Sequence, residues 1–155
     1  MLARARTVAF DGIEARIVEA QCVLSPGLPA FHIVGLPDKA VSEARERVRA
    51  ALSTLSIALP PRRITVNLSP ADLPKAGSHF DLPIALALLA ALGIIPPEEL
   101  AQTVSLGELA LDGALVAVVG ALPAALAAAT ENCALICPKP CGAEAAWVGV
   151  AHVFA

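Results

Sequence analysis

Apolar and polar positions along this chain follow two periods, one of two residues and one of three to four. Arg4 to Phe10 reads as a first strand, turned by Asp11-Gly12. From Ile13 to Leu24 every second residue is apolar, but the phase slips. Ile13, Ala15 and Ile17 give way to Val18, Ala20, Cys22 and Leu24. A slip of one position in a period-2 pattern predicts a β-bulge. Phe31 to Val34 is a third, short strand after a Pro26-Gly27 turn.

The period then becomes helical. Asp38 is a good N-cap, because its carboxylate can accept from the free amides of a first helical turn. Val41, Ala44, Val48, Ala51, Leu52 and Leu55 share one face of the helix that follows. Glu43, Arg45, Glu46, Arg47 and Arg49 take the other faces, with Glu43 and Arg47 spaced as an i,i+4 pair. After Pro60-Pro61, Arg62 to Leu68 alternates, with Ile64, Val66 and Leu68 on one side. Leu82 to Leu92 is apolar on all sides and predicts a central buried helix stopped at Gly93. Val104 to Val119 predicts a hairpin turning at Asp112-Gly113 through a type I′ turn. A helix over Ala121–Glu131, a strand over Cys133–Cys137, a short helix over Gly142–Trp147 and a strand over Val150–Phe154 follow. The order β-β-β-α-β-α-β-β-α-β-α-β predicts one α+β domain over residues 1–155, a mixed sheet with packed helices.

Composition narrows the function classes. The chain has 155 residues, 57% of them hydrophobic and 16% charged, which suits a folded core and excludes disorder. The apolar runs Leu82–Ile95 and Ala114–Ala129 are interrupted by Pro83, Gly93, Gly120 and Pro123, whereas a bilayer span needs about 20 continuous apolar residues. Arg4 and Arg6 are not followed by a secretory apolar region, so a cytoplasmic protein with no membrane partner is expected. Net charge is −3, and residues 1–75 hold ten of the eleven basic side chains. No dense Lys/Arg run accompanies that asymmetry. Cys133, Cys137 and Cys141 are spaced four apart, and with His152 they invite a metal site. The segment CALIC also reads as a buried strand, so structural cysteines and no metal are the expectation.

The motifs of common chemistry are missing. No G-x-x-x-x-G-K-[ST], G-x-G-x-x-G, H-E-x-x-H or G-x-S-x-G occurs. Ser78, His79 and Asp81 have triad residue types, but Ser78 and His79 are adjacent and diverge in an extended chain. Asp81 at the head of an apolar helix is explained by capping. The loop Pro70–Phe80, with Asp72, Lys75, Gly77, Ser78 and His79 between a strand and a buried helix, is nevertheless the leading candidate for function.

Four stretches carry a resemblance: GLPAFHIVGLPD (27–38), ARERVRAA (44–51), PRRITVNLSPADL (61–73) and GSHFDLPIAL (77–86). They resemble the N-terminal domain of the YifB/ComM family, the magnesium-chelatase-like AAA+ proteins. The resemblance implies a fold of the ribosomal protein S5 domain 2-like class, similar to the Lon proteolytic domain. It implies an AAA+ ATPase domain downstream, which would bring ATP and Mg, and a hexameric DNA branch-migration motor in natural transformation. No cofactor is implied for the domain itself. The Lon-like serine and lysine positions fall on Asp81 and Pro123 here, and neither an aspartate nor a proline can replace a serine–lysine dyad. The resulting expectation is a non-catalytic accessory domain whose DNA contacts are Arg62, Arg63, Lys75 and His79, since cations neutralise phosphate. A protein-interaction domain and a residual hydrolase acting through Ser78, His79 and Asp81 are the alternatives.

Overall fold

In the computed structural model, residues 2–147 and 153–154 are described. Seven strands form one mixed sheet in the order β3-β4-β2-β1-β5-β8-β9. These are β1 Leu2–Asp11, β2 Glu14–Ser25, β3 Ala30–Val34, β4 Arg63–Ser69, β5 Thr103–Ser105, β8 Ala134–Ile136 and β9 Val153–Phe154. A small separate hairpin pairs β6 Glu108–Leu109 with β7 Leu115–Val116. Helices α1 Lys39–Ser42, α2 Ala44–Thr54, α3 Asp81–Ala91, α4 Pro97–Leu100, α5 Ala121–Thr130 and α6 Gly142–Ala146 complete the chain. The α+β class and mixed sheet agree with the sequence reading. Residues 150–152 of the expected last strand, and His152 with them, lie outside the described residues.

The phase slip in β2 has a different cause from a bulge. β2 pairs with β1 without a skipped residue, from Asp11↔Glu14 to Leu2↔Val23. What changes along the strand is which face is covered. Ala3, Ala5, Ala9, Val18, Ala20, Cys22, Ile64, Val66 and Leu68 lie on one face, in a core built with α2 and α3. Phe10, Ala15 and Ile17 lie on the opposite face, in a second core built with α5 and with Val8, Val104 and Leu135. The small alanines of β1 and β2 leave room for the bulkier Ile84 and Leu88 of α3, which are buried in the same core.

Three further expectations are corrected. The single helix beginning at Asp38 is two, divided at Glu43, although Asp38 does cap it by accepting from Val41 N at 2.8 Å. The turn at Asp112-Gly113 is not type I′. Only Gly113 has positive φ, and the bonds Gly113 N→Ala110 O and Ala110 N→Ala114 O close a three-residue loop of the G1-bulge kind. The hairpin itself spans only β6 and β7, while Val104 belongs to β5 of the main sheet.

Two sequence stretches that sit far apart in the chain are stitched together beside β4. Lys75 N donates to Leu36 O at 3.0 Å and Asp38 N to Lys75 O at 2.9 Å. Gly35 makes this approach feasible. Its φ is 107°, and a Cβ there would lie 2.2 Å from the Leu68 carbonyl oxygen. Gly35→Ala therefore combines backbone strain with a collision against a central strand. A stability loss of at least about 2 kcal/mol is expected, read as a lower urea midpoint.

Candidate functional site

The N-terminus of α3 is where the loops converge. A 3₁₀ turn, Ser78–Phe80, leads directly into Asp81, whose side chain has no exposed surface. Arg47 on α2 binds both carboxylate oxygens, Nε to Oδ2 at 2.6 Å and Nη2 to Oδ1 at 3.1 Å. Leu109 N donates to Oδ2 at 3.0 Å. Arg47 Nη2 also donates to Ala40 O at 2.7 Å, which ties in α1. Backbone bonds complete the clamp: Leu82 N to Gly107 O and Gly107 N to His79 O, each 3.0 Å. Burial lifts the Asp81 carboxyl above its ordinary value, opposed by Arg47 and the Leu109 amide. The Arg47 guanidinium is held up by its bond to Asp81 and stays charged.

His79 is buried at 4% exposure and lies beside Phe10 and Phe80, ring centroids 5.0 and 4.3 Å away. Its Nε2 is 2.7 Å from Val8 O. A carbonyl oxygen only accepts, so Nε2 carries the proton and Nδ1 holds the lone pair. Burial lowers the pKa of His79, partly offset by the Val8 bond, so the ring is neutral at pH 7. Its edge borders a shallow cleft of about 360 Å³ with Phe10, Gly77, Ser78, Val118 and Gly120.

This geometry does not assemble the triad. Asp81 is engaged by Arg47 and Leu109, and His79 Nε2 by Val8, so no acid orients the imidazole toward Ser78. Pro123 lies in the first turn of α5, without an amine.

The four expected DNA contacts are not brought together. Arg62 and Arg63 are exposed at the start of β4. Lys75 and His79 lie beyond its other end, about 20 Å away along a seven-residue strand. Both are also buried, so each presents little surface to a phosphate. The Lys75 ammonium donates to the Pro70 carbonyl and closes the loop on itself. Burial lowers its pKa and nearby Asp72, which is exposed, opposes that. Of the other residues in this loop, Gly77 is needed at φ 105° over the imidazole, where a Cβ would lie 2.9 Å from His79 Nδ1.

Sequence reasoning placed Arg47 on a solvent face and so missed the cation that matters most. A signal existed: a carboxylate heading a wholly apolar helix needs a buried partner, and Arg47 flanks the Ala44–Val48–Ala51 stripe. The four cysteines are free thiols buried in the two cores. Burial pushes the Cys22 thiol up to about 12 and raises Cys137. Cys141 Sγ donates to Val118 O at 3.4 Å and Cys133 Sγ to Glu131 O at 3.5 Å. Among the described residues no three His, Cys, Asp or Glu side chains form a metal-binding group. No helix of the described residues is long and apolar enough to cross a membrane.

Comparison with known proteins shows the family of the chain. The sequence model for subunit ChlI of Mg-chelatase matches residues 18–140. The chain belongs to this Mg-chelatase-like family. It is 47% identical over 140 residues to competence protein ComM of Haemophilus influenzae, covering 90% of this chain and 28% of that protein. It is 44% identical over 133 residues to the YifB protein of Escherichia coli, covering 86% and 26% respectively. A protein of Mycobacterium tuberculosis is 47% identical over 131 residues, covering 84% and 26%. The chain thus spans about a quarter of the length of these relatives.

Two outcomes follow for this member of the Mg-chelatase-like family. Asp81→Ala leaves the Leu109 amide and the Arg47 guanidinium without their acceptor, and should cost about 3 kcal/mol in urea unfolding. Asp81→Asn keeps an acceptor for Leu109 and should lose less. His79 contributes a pH dependence with a definite sign. Its folded pKa lies below 6.5, so the unfolded chain binds the proton more readily. Stability from this group is present above pH 6.5 and is lost as pH falls below it. The melting temperature should therefore drop between pH 7.5 and 5.5. His79→Gln, which retains an N–H for Val8, should flatten that part of the profile.

Proposed function

We propose that this chain is a non-catalytic accessory domain, the N-terminal one, of a ComM-like AAA+ motor. In this reading the domain positions DNA or supports a hexameric cytoplasmic ring during natural transformation. Hydrolysis of ATP with Mg belongs to an ATPase domain downstream. The observation that carries the reading is the state of Asp81. At the position where a Lon-like hydrolase keeps its nucleophile, a carboxylate is fully buried and tied to Arg47 and Leu109. Such a group stabilises the join between helices and cannot attack a substrate. The 47% identity to a competence protein supports assigning the domain to a DNA-handling motor.

A second reading, a protein-interaction domain without DNA contact, is favoured by exposed apolar side chains. Val119 is 92% exposed, Leu28 87% and Trp147 84%. The two readings separate in a full-length protein carrying this domain. Deleting the domain should leave ATP hydrolysis measurable while branch migration of a four-way DNA junction falls at least tenfold. Unchanged junction processing would remove the accessory role. Peptide hydrolysis lost on Ser78→Ala would restore the hydrolase reading.

A further inference from the structure

The sheet has one face that is only half covered. α5 packs over Ala15 and Ile17 at one end of β2. Beyond them, among the described residues, the side chains of β1, β2, β4 and β3 stand in register, with only the short α4 beside them, where Pro97 and Leu100 border Leu2, Arg4 and Arg6. Register places them in rows: Arg6, Glu19 and Ser69; then Arg4, Gln21, Asn67 and Val34; then Leu2, Val23, Thr65 and His32; then Ser25, Arg63 and Ala30. Four rows on four strands make a surface of about 20 by 15 Å.

The chemistry of this face differs from that of the whole chain. Three arginines oppose a single glutamate, on a chain whose net charge is −3. Glu19 is already engaged, by Arg4 Nε at 3.2 Å and Gln21 Nε2 at 2.7 Å. Asn67 Nδ2 in turn donates to Gln21 Oε1 at 3.1 Å. Each amide nitrogen keeps a second hydrogen for an outside acceptor. Arg63 and His32 are exposed. Arg4 shares its charge with Glu19 and Arg6 Nη1 donates to Cys133 Sγ at 3.4 Å, so the face carries a net positive charge with Arg63 as its freest cation and neutral donors in the neighbouring rows.

We propose that this uncovered face of β1, β2, β4 and β3 binds single-stranded nucleic acid through its phosphates. An extended polyanion matches donors distributed along 20 Å better than a compact anion does. The face is a sheet surface, and among the described residues no helix or β-ribbon projects from it to enter a duplex groove. His32 is its only ring, so binding rests on phosphate contacts and is indifferent to base sequence. The proposal rests on the reading of the chain as a DNA-positioning domain, and it moves the contact surface from the Pro70–Phe80 loop to the sheet. Of the four residues first expected to touch DNA, it keeps Arg63.

The test uses the 155-residue chain and a fluorescein-labelled 20-nucleotide oligo(dT), read by anisotropy. With three cations engaged, affinity should fall roughly 20-fold between 50 and 200 mM NaCl. Arg4→Gln with Arg63→Glu should weaken binding at least tenfold with melting temperature unchanged. Arg49→Glu, on the exposed side of α2, should leave it within twofold. Absence of salt-dependent binding would overturn the proposal, as would equal binding by the double variant or equal loss with Arg49→Glu. A polyglutamate peptide binding as tightly would reassign the face to acidic protein partners. If the double variant binds normally while domain deletion still abolishes junction processing, this surface fails and the accessory role stands.

Discussion

The buried pair of Arg47 and Asp81 is the constraint on which the helical layer depends. Removing a carboxylate from water costs several kcal/mol, and only a close, fully bonded partner offsets that. Asp81 receives three donors, from the two arms of Arg47 and from Leu109 N. Two come from the Arg47 fork on α2 and one from the β6 backbone, so the carboxylate sets α2, the start of α3 and the β6 hairpin in one arrangement. Arg47 extends the tie to α1 through Ala40 O. An apolar α3 could slide or rotate against an alanine-lined sheet at small cost, because its surface is greasy on every side. A charge that has one place to go removes that freedom.

The same demand explains what was readable and what was not. The strands, the central helix and their order follow from periodicity, because burial on a regular lattice writes a regular pattern. The phase slip in β2 was visible too, but it has two physical causes. A bulge and a change of covered face both shift a period-2 pattern by one residue, and only the unbroken β1–β2 register separates them. Likewise Asp112-Gly113 marks a turn, while loop length decides its type. That length depends on where β6 and β7 begin to pair.

The convergence of loops at the head of α3 was legible in the chain, and the burial of its polar residues was not. Lys75 and His79 are polar types in a loop, and polar loop residues are normally solvated. Here the loop folds back on itself, so Lys75 meets the Pro70 carbonyl and His79 enters the space beneath Phe10. Nothing local in the chain announces this, because the closing contacts come from β1 and from Leu36 and Asp38. Arg47 shows the converse. It sits among charged neighbours on an amphipathic helix, and its partner is 34 positions away.

These two cases bear on where function can reside. A carboxylate that must stay ionised and bonded to hold three elements together is unavailable for reaction. A lysine whose ammonium is capped by its own loop is unavailable to a ligand. The stretch that looks most like an active site is thus the most heavily committed to stability. The binding we propose falls instead to groups whose movement costs the fold little: exposed side chains on a sheet already fixed by its other face. Arg4, Arg63 and His32 meet that condition, since the backbone that carries them is held by Ala3, Ile64 and Phe31 on the packed side. A rigid strand presenting free side chains is preorganised for binding at little entropic expense.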